Sequence, residues 1–214
     1  MRYFPGLLIV TMVLTTMEAN SQTAAKIISE CTIVYNLSLE DANSSPELMN
    51  ALNGSTKTVY IKGSKSRTDL NTSSYTLSII NDARSDSTVV LRVLGNTRYM
   101  TFLNEAKKRE KNKKFEGIVF TNTGSTKTIL GYECVNAVAK LQDGSTYNVF
   151  YAPSVVPSNR EYEYQFKDLP GLALEYETES EDGKQKVKYT AVKIVLTPVQ
   201  ASKFDLPKSG YRVL

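Results

Sequence analysis

The sequence contains no histidine, no tryptophan and only two cysteines among its 214 residues. Without histidine, the Ser-His-Asp and Cys-His nucleophilic sites and every zinc site with a histidine ligand are excluded. Two cysteines are too few for an all-cysteine zinc site. Carboxylate, lysine and tyrosine chemistry remain open. The sequence has no Gly-rich phosphate loop and no GxSxG motif, and its carboxylate pair Glu161/Glu163 lies in a Tyr-rich stretch that we expect to be exposed. We therefore expect a protein that is not an enzyme and needs no cofactor.

Long apolar runs are also scarce, and the clearest one stands at the N-terminus. "MRYFPGLLIVTMVLTTMEANSQ" combines Arg2, an apolar run from Leu7 to Leu14 and a small-residue end at residues 19–21. This is the layout of a cleavable secretory signal, and the run is too short to span a bilayer. The sequence predicts a signal peptide over 1–21 and an exported mature chain over 22–214, in the periplasm, secreted or associated with the outer membrane. A short N-terminal anchor is the alternative.

The overall composition is that of one globular domain. Hydrophobic residues make up 41% and charged residues 22% of the chain, which is ordinary for a soluble domain. The formal net charge of +4 is mild for this length and gives no argument for a nucleic-acid partner.

The two cysteines lie in segments that alternate between apolar and polar residues. In "KIISECTIVYNLSL", Cys31 shares its face with Ile33 and Tyr35, and Cys134 lies within the similar segment "YECVNAVAKL". A reactive thiolate needs a cationic or helix-terminal setting, which a cysteine in the middle of a strand lacks. For an exported protein we favour a Cys31–Cys134 disulfide. Two buried free thiols are the alternative.

Most of the chain is predicted to form successive β-strands. Segments rich in β-branched and aromatic residues are separated by turn signals such as Gly95-Asn96 and Asp143-Gly144, which favour hairpins. Helical patterns are short and occur at 44–52, 159–166 and 198–204. The predicted fold class is mainly antiparallel β with a few short helices.

A run of basic residues interrupts the strand pattern. It reads "EAKKREKNKKFE" over 105–116. Either it is a solvated loop or short helix, or it contacts an anionic membrane surface or an acidic partner. The candidate contact patch consists of Lys107, Lys108, Arg109, Lys111, Lys113 and Lys114.

Three further segments resemble a known family. "TGSTKTILGYECVNAVAKLQDGSTYNVFYA", "FKDLPGLALEYE" and "FDLPKSGY" resemble GLPGLI-like exported proteins of Gram-negative bacteria. In that family a "TGETKTILGYKC" strand leads to a DG turn, a "VWY"-type strand and an "LPGLxLE" motif. Phe150 stands where that strand usually has tryptophan. The family looks related to the LolA-like superfamily of periplasmic lipoprotein carriers. The resemblance implies a single LolA-like β domain over 22–214, a curved and incomplete barrel closed on one side by short helices.

The resemblance also implies an apolar concave face that could hold acyl chains. Alternation alone does not separate an open pocket from a filled core, because both use the same residue types. We therefore expect a protein that binds or carries a hydrophobic ligand, either a lipid or an acylated protein such as a lipoprotein. The alternative is an envelope structural or interaction protein with a filled core. Candidate cavity residues are Ile33, Tyr35, Leu77, Ile79, Leu91, Val93, Leu174 and Tyr176.

Overall fold

The structure, a computed structural model, describes residues 24–39, 49–50, 52–179 and 185–214. The predicted signal peptide over 1–21 lies outside these residues. So does most of the predicted helix over 44–52, although residues 49, 50 and 52 are helical.

The described residues form mostly strands, together with an α-helix of eight residues, three short 3-10 turns and the helical residues 49, 50 and 52. The helix, α1, spans Glu105–Asn112, and the 3-10 turns span Lys113–Phe115, Tyr164–Phe166 and Ala201–Phe204. The strands are β1 (Lys26–Ile28), β2 (Glu30–Leu39), β3 (Thr56–Lys62), β4 (Lys65–Asn71), β5 (Tyr75–Asp82), β6 (Ser87–Leu94), β7 (Thr97–Leu103), β8 (Val119–Ile129), β9 (Tyr132–Lys140), β10 (Thr146–Ala152), β11 (Val155–Pro157), β12 (Leu172–Glu179), β13 (Lys186–Val195) and β14 (Arg212–Val213).

Twelve of these strands form one sheet in the order β14-β7-β6-β5-β4-β3-β2-β13-β12-β10-β9-β8. All neighbours are antiparallel except β14 and β7, and β1 and β11 form a separate parallel pair. The outer strands β14 and β8 do not pair with each other in the described part of the chain, so the sheet is open. The prediction of a mainly antiparallel β fold is confirmed, and the one full α-helix of the described residues is the short α1.

Turn residues set the hairpins, and one turn interrupts a segment that the resemblance implies to be a single strand. Gly95 and Gly144 have positive φ at the β6–β7 and β9–β10 turns, as the sequence predicted. The segment "TKTILGYEC" bends between β8 and β9 at Leu130 and Gly131, with φ of 51° and 81°. Glycine favours such a conformation, whereas leucine adopts it rarely.

The sheet has two faces, which we call inner and outer. The inner face, which includes Leu77 and Ile79, extends into the main hydrophobic core, where Ile33 and Leu174 are fully buried. The segment over 158–171 covers this core and contributes Tyr162, Phe166 and Leu169. The Tyr-rich stretch is therefore largely buried, contrary to our expectation, because its aromatic rings cover the core.

The C-terminal segment crosses the outer face. Val199 and Phe204 pack there on Ile80, Val89 and Leu91 in a second hydrophobic cluster. The Arg67 Nη1 donates a hydrogen bond of 2.7 Å to the Lys203 carbonyl oxygen. The segment ends as β14 beside β7, so it covers the outer face of the same strands whose inner face lines the site described next.

The "LPGL" motif has a packing role. A Cβ atom on Gly171 would lie 2.4 Å from the Ala152 carbonyl oxygen, so only glycine permits this close approach of two backbones. Gly171 does not have a positive φ, so this position requires the small size of glycine and not its backbone freedom. The motif therefore joins the start of β12 tightly to the end of β10.

Candidate functional site

A cavity of about 490 Å³ opens on the inner face of the sheet. Its apolar floor comes from β4, β5 and β7, through Leu70, Leu77, Ile79 and Leu103, and Phe115 joins them from the turn after α1. All five side chains are half-buried. In β2 and β3, strand alternation buries the inner-face residues. In β4, β5 and β7, the same alternation leaves apolar side chains facing an open space.

The inner face is therefore partly filled and partly open. Of the eight predicted cavity residues, Leu77 and Ile79 line the cavity. Four others lie in the main core with at most 1% of their surface exposed. They are enclosed by other side chains and do not line an open space. These four are Ile33, Tyr35, Leu174 and Tyr176.

Two of the predicted cavity residues lie on the wrong face. In β6, Leu91 pairs with Ser78 and Val93 with Thr76, so both point away from Leu77 and Ile79. Leu91 packs in the outer cluster instead. Alternate residues of β6 lie on opposite faces of the sheet, and we had assigned the more apolar face to the cavity. The inner-face positions of this strand are Thr88, Val90 and Arg92.

A buried ion pair closes one end of the cavity. Lys57 of β3 and Glu163 of the covering segment are in direct contact, and each side chain is only 10% exposed. The Lys57 ammonium also donates to the Tyr176 hydroxyl and lies 5.0 Å from the Tyr176 ring centroid and 5.2 Å from that of Tyr189. Such cation–π contacts compensate part of the cost of burying the ammonium.

The tyrosines around this pair stay protonated. Burial raises the pKa of Tyr35, Tyr162 and Tyr176 well above the usual range, and the nearby Glu163 carboxylate acts in the same direction. The Tyr35 hydroxyl donates a hydrogen bond of 2.8 Å to the Ala173 carbonyl oxygen. These hydroxyls therefore keep their protons near neutral pH.

Sequence reasoning missed Lys57 and placed Glu163 on the surface. The signal for Lys57 is its position in "TKTVYIK", where it occupies the same face as Val59 and Ile61. A lysine in a buried register needs a counter-charge. Nothing in the sequence, however, indicated that the acid would come from a segment more than a hundred residues away.

The predicted basic patch is divided by the geometry of α1. Lys108, Lys111 and Lys114 line the cavity, whereas Lys107, Arg109 and Lys113 do not. The three lining residues are spaced by three positions, which places them on one side of a helix. Lys108 binds Asp86 and Arg109 binds Glu105.

The predicted Cys31–Cys134 disulfide is not formed, and both cysteines are buried free thiols. Three strands separate β2 from β9 in the sheet order, whereas a disulfide needs Cα atoms within about 7 Å. Burial raises the pKa of Cys31 to about 12 and that of Cys134 to about 11.

The described residues hold neither a metal site nor a candidate transmembrane helix. They contain no group of three or more cysteine or acidic side chains arranged to hold a metal ion. They also contain no helix with the length and hydropathy needed to cross a membrane.

Comparison with known proteins places the chain in a family. A family model described as "Domain of unknown function (DUF4412)" matches residues 46–156, which is more than half of the chain, and the chain belongs to this family. No curated protein matches the sequence.

Two solved structures are similar in part. One, described as "Structure of PNGF-II in C2 space group", matches with 15% identity and a TM-score of 0.46, over 86% of this chain and 30% of that one. The present chain thus spans less than a third of that protein. A putative outer membrane lipoprotein-sorting protein domain from Vibrio parahaemolyticus matches with 9% identity and a TM-score of 0.22, over 83% and 89%. Both TM-scores are below 0.5, so the LolA-like likeness is weak.

Proposed function

We propose that the protein is a non-catalytic binding protein that holds an apolar ligand in the inner-face cavity. The observation that carries the proposal is the open space of about 490 Å³ above a floor of Leu70, Leu77, Ile79 and Leu103. This volume lies within the range of about 300–1,000 Å³ that is typical of small-molecule sites, which are mostly apolar with a few polar groups. A lipid, or the acyl group of a lipoprotein, is the ligand class we favour.

The contacts around the cavity support binding over catalysis. The titratable groups at its closed end already satisfy one another, because Lys57 contacts Glu163 and the Tyr176 hydroxyl. A general base or nucleophile would need a free functional group beside the substrate.

We also propose that the chain acts outside the cytoplasm, in the periplasm, at the outer membrane or secreted. This rests on the signal-like segment over 1–21 and on the resemblance of the C-terminal half to GLPGLI-like exported proteins. N-terminal sequencing of the exported protein is expected to begin at Gln22.

A neutral fluorescent dye tests the proposed ligand site. N-phenylnaphthylamine, which brightens in apolar surroundings, is expected to bind the wild-type protein saturably. Leu77→Gln is expected to weaken its binding roughly tenfold, because an apolar contact of about 1.5 kcal/mol is lost. Phe102→Gln serves as the matched control, since Phe102 is 52% exposed and pairs with Val89 on the outer face.

The two outcomes are distinguishable. Weaker binding by the Leu77 variant alone supports the site. A dye that does not bind, or that binds all three proteins equally, would contradict the site and favour the interaction protein whose interior is filled.

A further inference from the structure

We infer that the ligand is a single-chain amphiphile with an anionic head group, either a carboxylate or a phosphate monoester. Its head would lie between Lys111 and Arg92, and its tail would run over Leu77 and Ile79. This inference rests on the proposed function and names the ligand class of the same site.

A second cavity adjoins the first at the place where the head would lie. It has a volume of about 450 Å³, and Leu103 and Lys111 line both cavities. Because they share these two residues, the cavities meet beside α1 and the end of β7. The second one is also lined by Arg92, Tyr99 and Thr101. One elongated ligand could therefore extend from the apolar floor of the first cavity into the second.

Two like charges meet at the junction. Partial desolvation of the Lys111 ammonium lowers the pKa of this group, and the positive charge of Arg92 adds to the effect. Lys111 as a residue nevertheless remains exposed, and it lines both cavities. No acidic side chain within the described ranges forms an ion pair with Lys111 or Arg92. An anion bound between them would replace this repulsion by two charge-assisted hydrogen bonds.

Lys114 also lines the first cavity, three positions beyond Lys111, and the remaining charges there favour this orientation of the ligand. Lys108 is engaged by Asp86, and Lys57 by Glu163, so neither cation is free for a ligand. Glu161 also lines the first cavity, and its carboxylate would repel an anionic head at that end. The Lys111 end is thus the favourable place for the head group.

The donor set at the junction suits oxyanions. Arginine offers a planar fork that binds carboxylate and phosphate oxygens with two hydrogen bonds, and lysine adds a compact charge. The Tyr99 and Thr101 side chains line the same space and carry hydroxyl groups that can donate to a further oxygen.

Displacement of N-phenylnaphthylamine by matched amphiphiles tests the inference. Laurate and dodecanol share one chain length but differ in charge, and each is used below the concentration at which it forms micelles or a separate phase. We expect laurate to displace the dye roughly tenfold more effectively than dodecanol from the wild-type protein, because charge-assisted hydrogen bonds are the stronger ones. In Lys111→Gln this preference is expected to disappear, whereas dodecanol should displace the dye as before.

Lys107→Gln is the matched control, because Lys107 lies on the same helix but does not line the cavity. Acetate tests whether the head alone suffices. Equal displacement by laurate and dodecanol would overturn the inference and leave the proposed function standing. An equal loss of preference in Lys107→Gln would also overturn it, since a diffuse surface charge would then be the cause. Strong competition by acetate would show a simple anion site and overturn it too. Failure of the dye itself to bind would contradict the proposed function.

Discussion

Lys57 is the residue on which the closed end of the cavity depends. Its ammonium lies among tyrosine rings and meets one carboxylate, that of Glu163. Removing one partner of a buried pair leaves the other charge without compensation, which costs more than the pair contributes. The covering segment over 158–171 is therefore held on the sheet by an electrostatic contact as well as by the burial of Tyr162 and Phe166.

Glu163→Gln is expected to lower the free energy of unfolding by about 3 kcal/mol, the lower end of the range for a broken buried pair. The tyrosine rings around Lys57 retain some favourable interaction with the ammonium, so a larger loss is not expected. Urea unfolding, followed by tyrosine fluorescence, measures the change. Glu161→Gln, an exposed acid of the same segment, is the control, and equal losses in both variants would contradict a buried, uncompensated Lys57.

The two thiols should be inert in the folded protein. Their pKa values of about 12 for Cys31 and about 11 for Cys134 leave almost no thiolate at neutral pH, and thiolate is the reactive form. We expect iodoacetamide to modify neither cysteine natively and both after unfolding in denaturant, as read by intact mass. Rapid native modification, or a protein that reacts only after reduction, would contradict two buried free thiols.

At the scale of elements, a hydrogen bond near the start of the C-terminal segment joins this segment to the sheet. The Glu30 carboxylate of β2 accepts a hydrogen bond of 2.7 Å from the Val199 backbone N–H and one of 2.8 Å from the Lys62 ammonium. The hydrogen bond from Lys62 and then that from Val199 lower the pKa of Glu30 below its ordinary value of 4.5.

This contact predicts a direction of pH dependence. Because the pKa of Glu30 is lower in the folded state, this residue contributes stability at pH values above its unfolded pKa of 4.5. The contribution is lost as the pH falls through the pKa of the folded state. The melting temperature of Glu30→Gln is expected to change less with pH than that of the wild-type protein as the pH falls below the unfolded pKa of Glu30. Exposed Glu133 provides the control variant Glu133→Gln. A Glu30→Gln protein with the wild-type acid profile would contradict the role of this carboxylate.

The elements also show what local sequence patterns can predict. Period-two alternation and the turn signals at Gly95 and Asp143-Gly144 predicted the hairpins, because these features are set by neighbouring residues. The turn at Leu130-Gly131 escaped notice, since leucine rarely adopts a positive φ. The face of β6 was chosen wrongly because its more apolar face, with Val89 and Leu91, packs under Phe204 on the outer side of the sheet.

At the scale of the whole molecule, one continuous sheet serves two purposes. The half that includes β2, β12 and β10 is filled by the main core, and the half that includes β4, β5 and β7 leaves an open space. The sequence left an open pocket and a filled core as alternatives, and the structure contains both. Whether a strand faces the core or the cavity depends on which distant segment packs over it. Tyr162 and Phe166 cover one half of the sheet, and α1 lies at the margin of the other. Alternation within a strand does not encode these long-range contacts.

The most direct test of the central claim places a tryptophan in the cavity. The chain has no tryptophan, so Leu77→Trp provides a single reporter on the cavity floor, and Phe102→Trp a matched reporter on the outer face. A brominated fatty acid quenches tryptophan emission on contact. We predict saturable quenching in Leu77→Trp and none beyond random collision in Phe102→Trp. Equal quenching of the two reporters, or none in either, would contradict a ligand bound on the inner face.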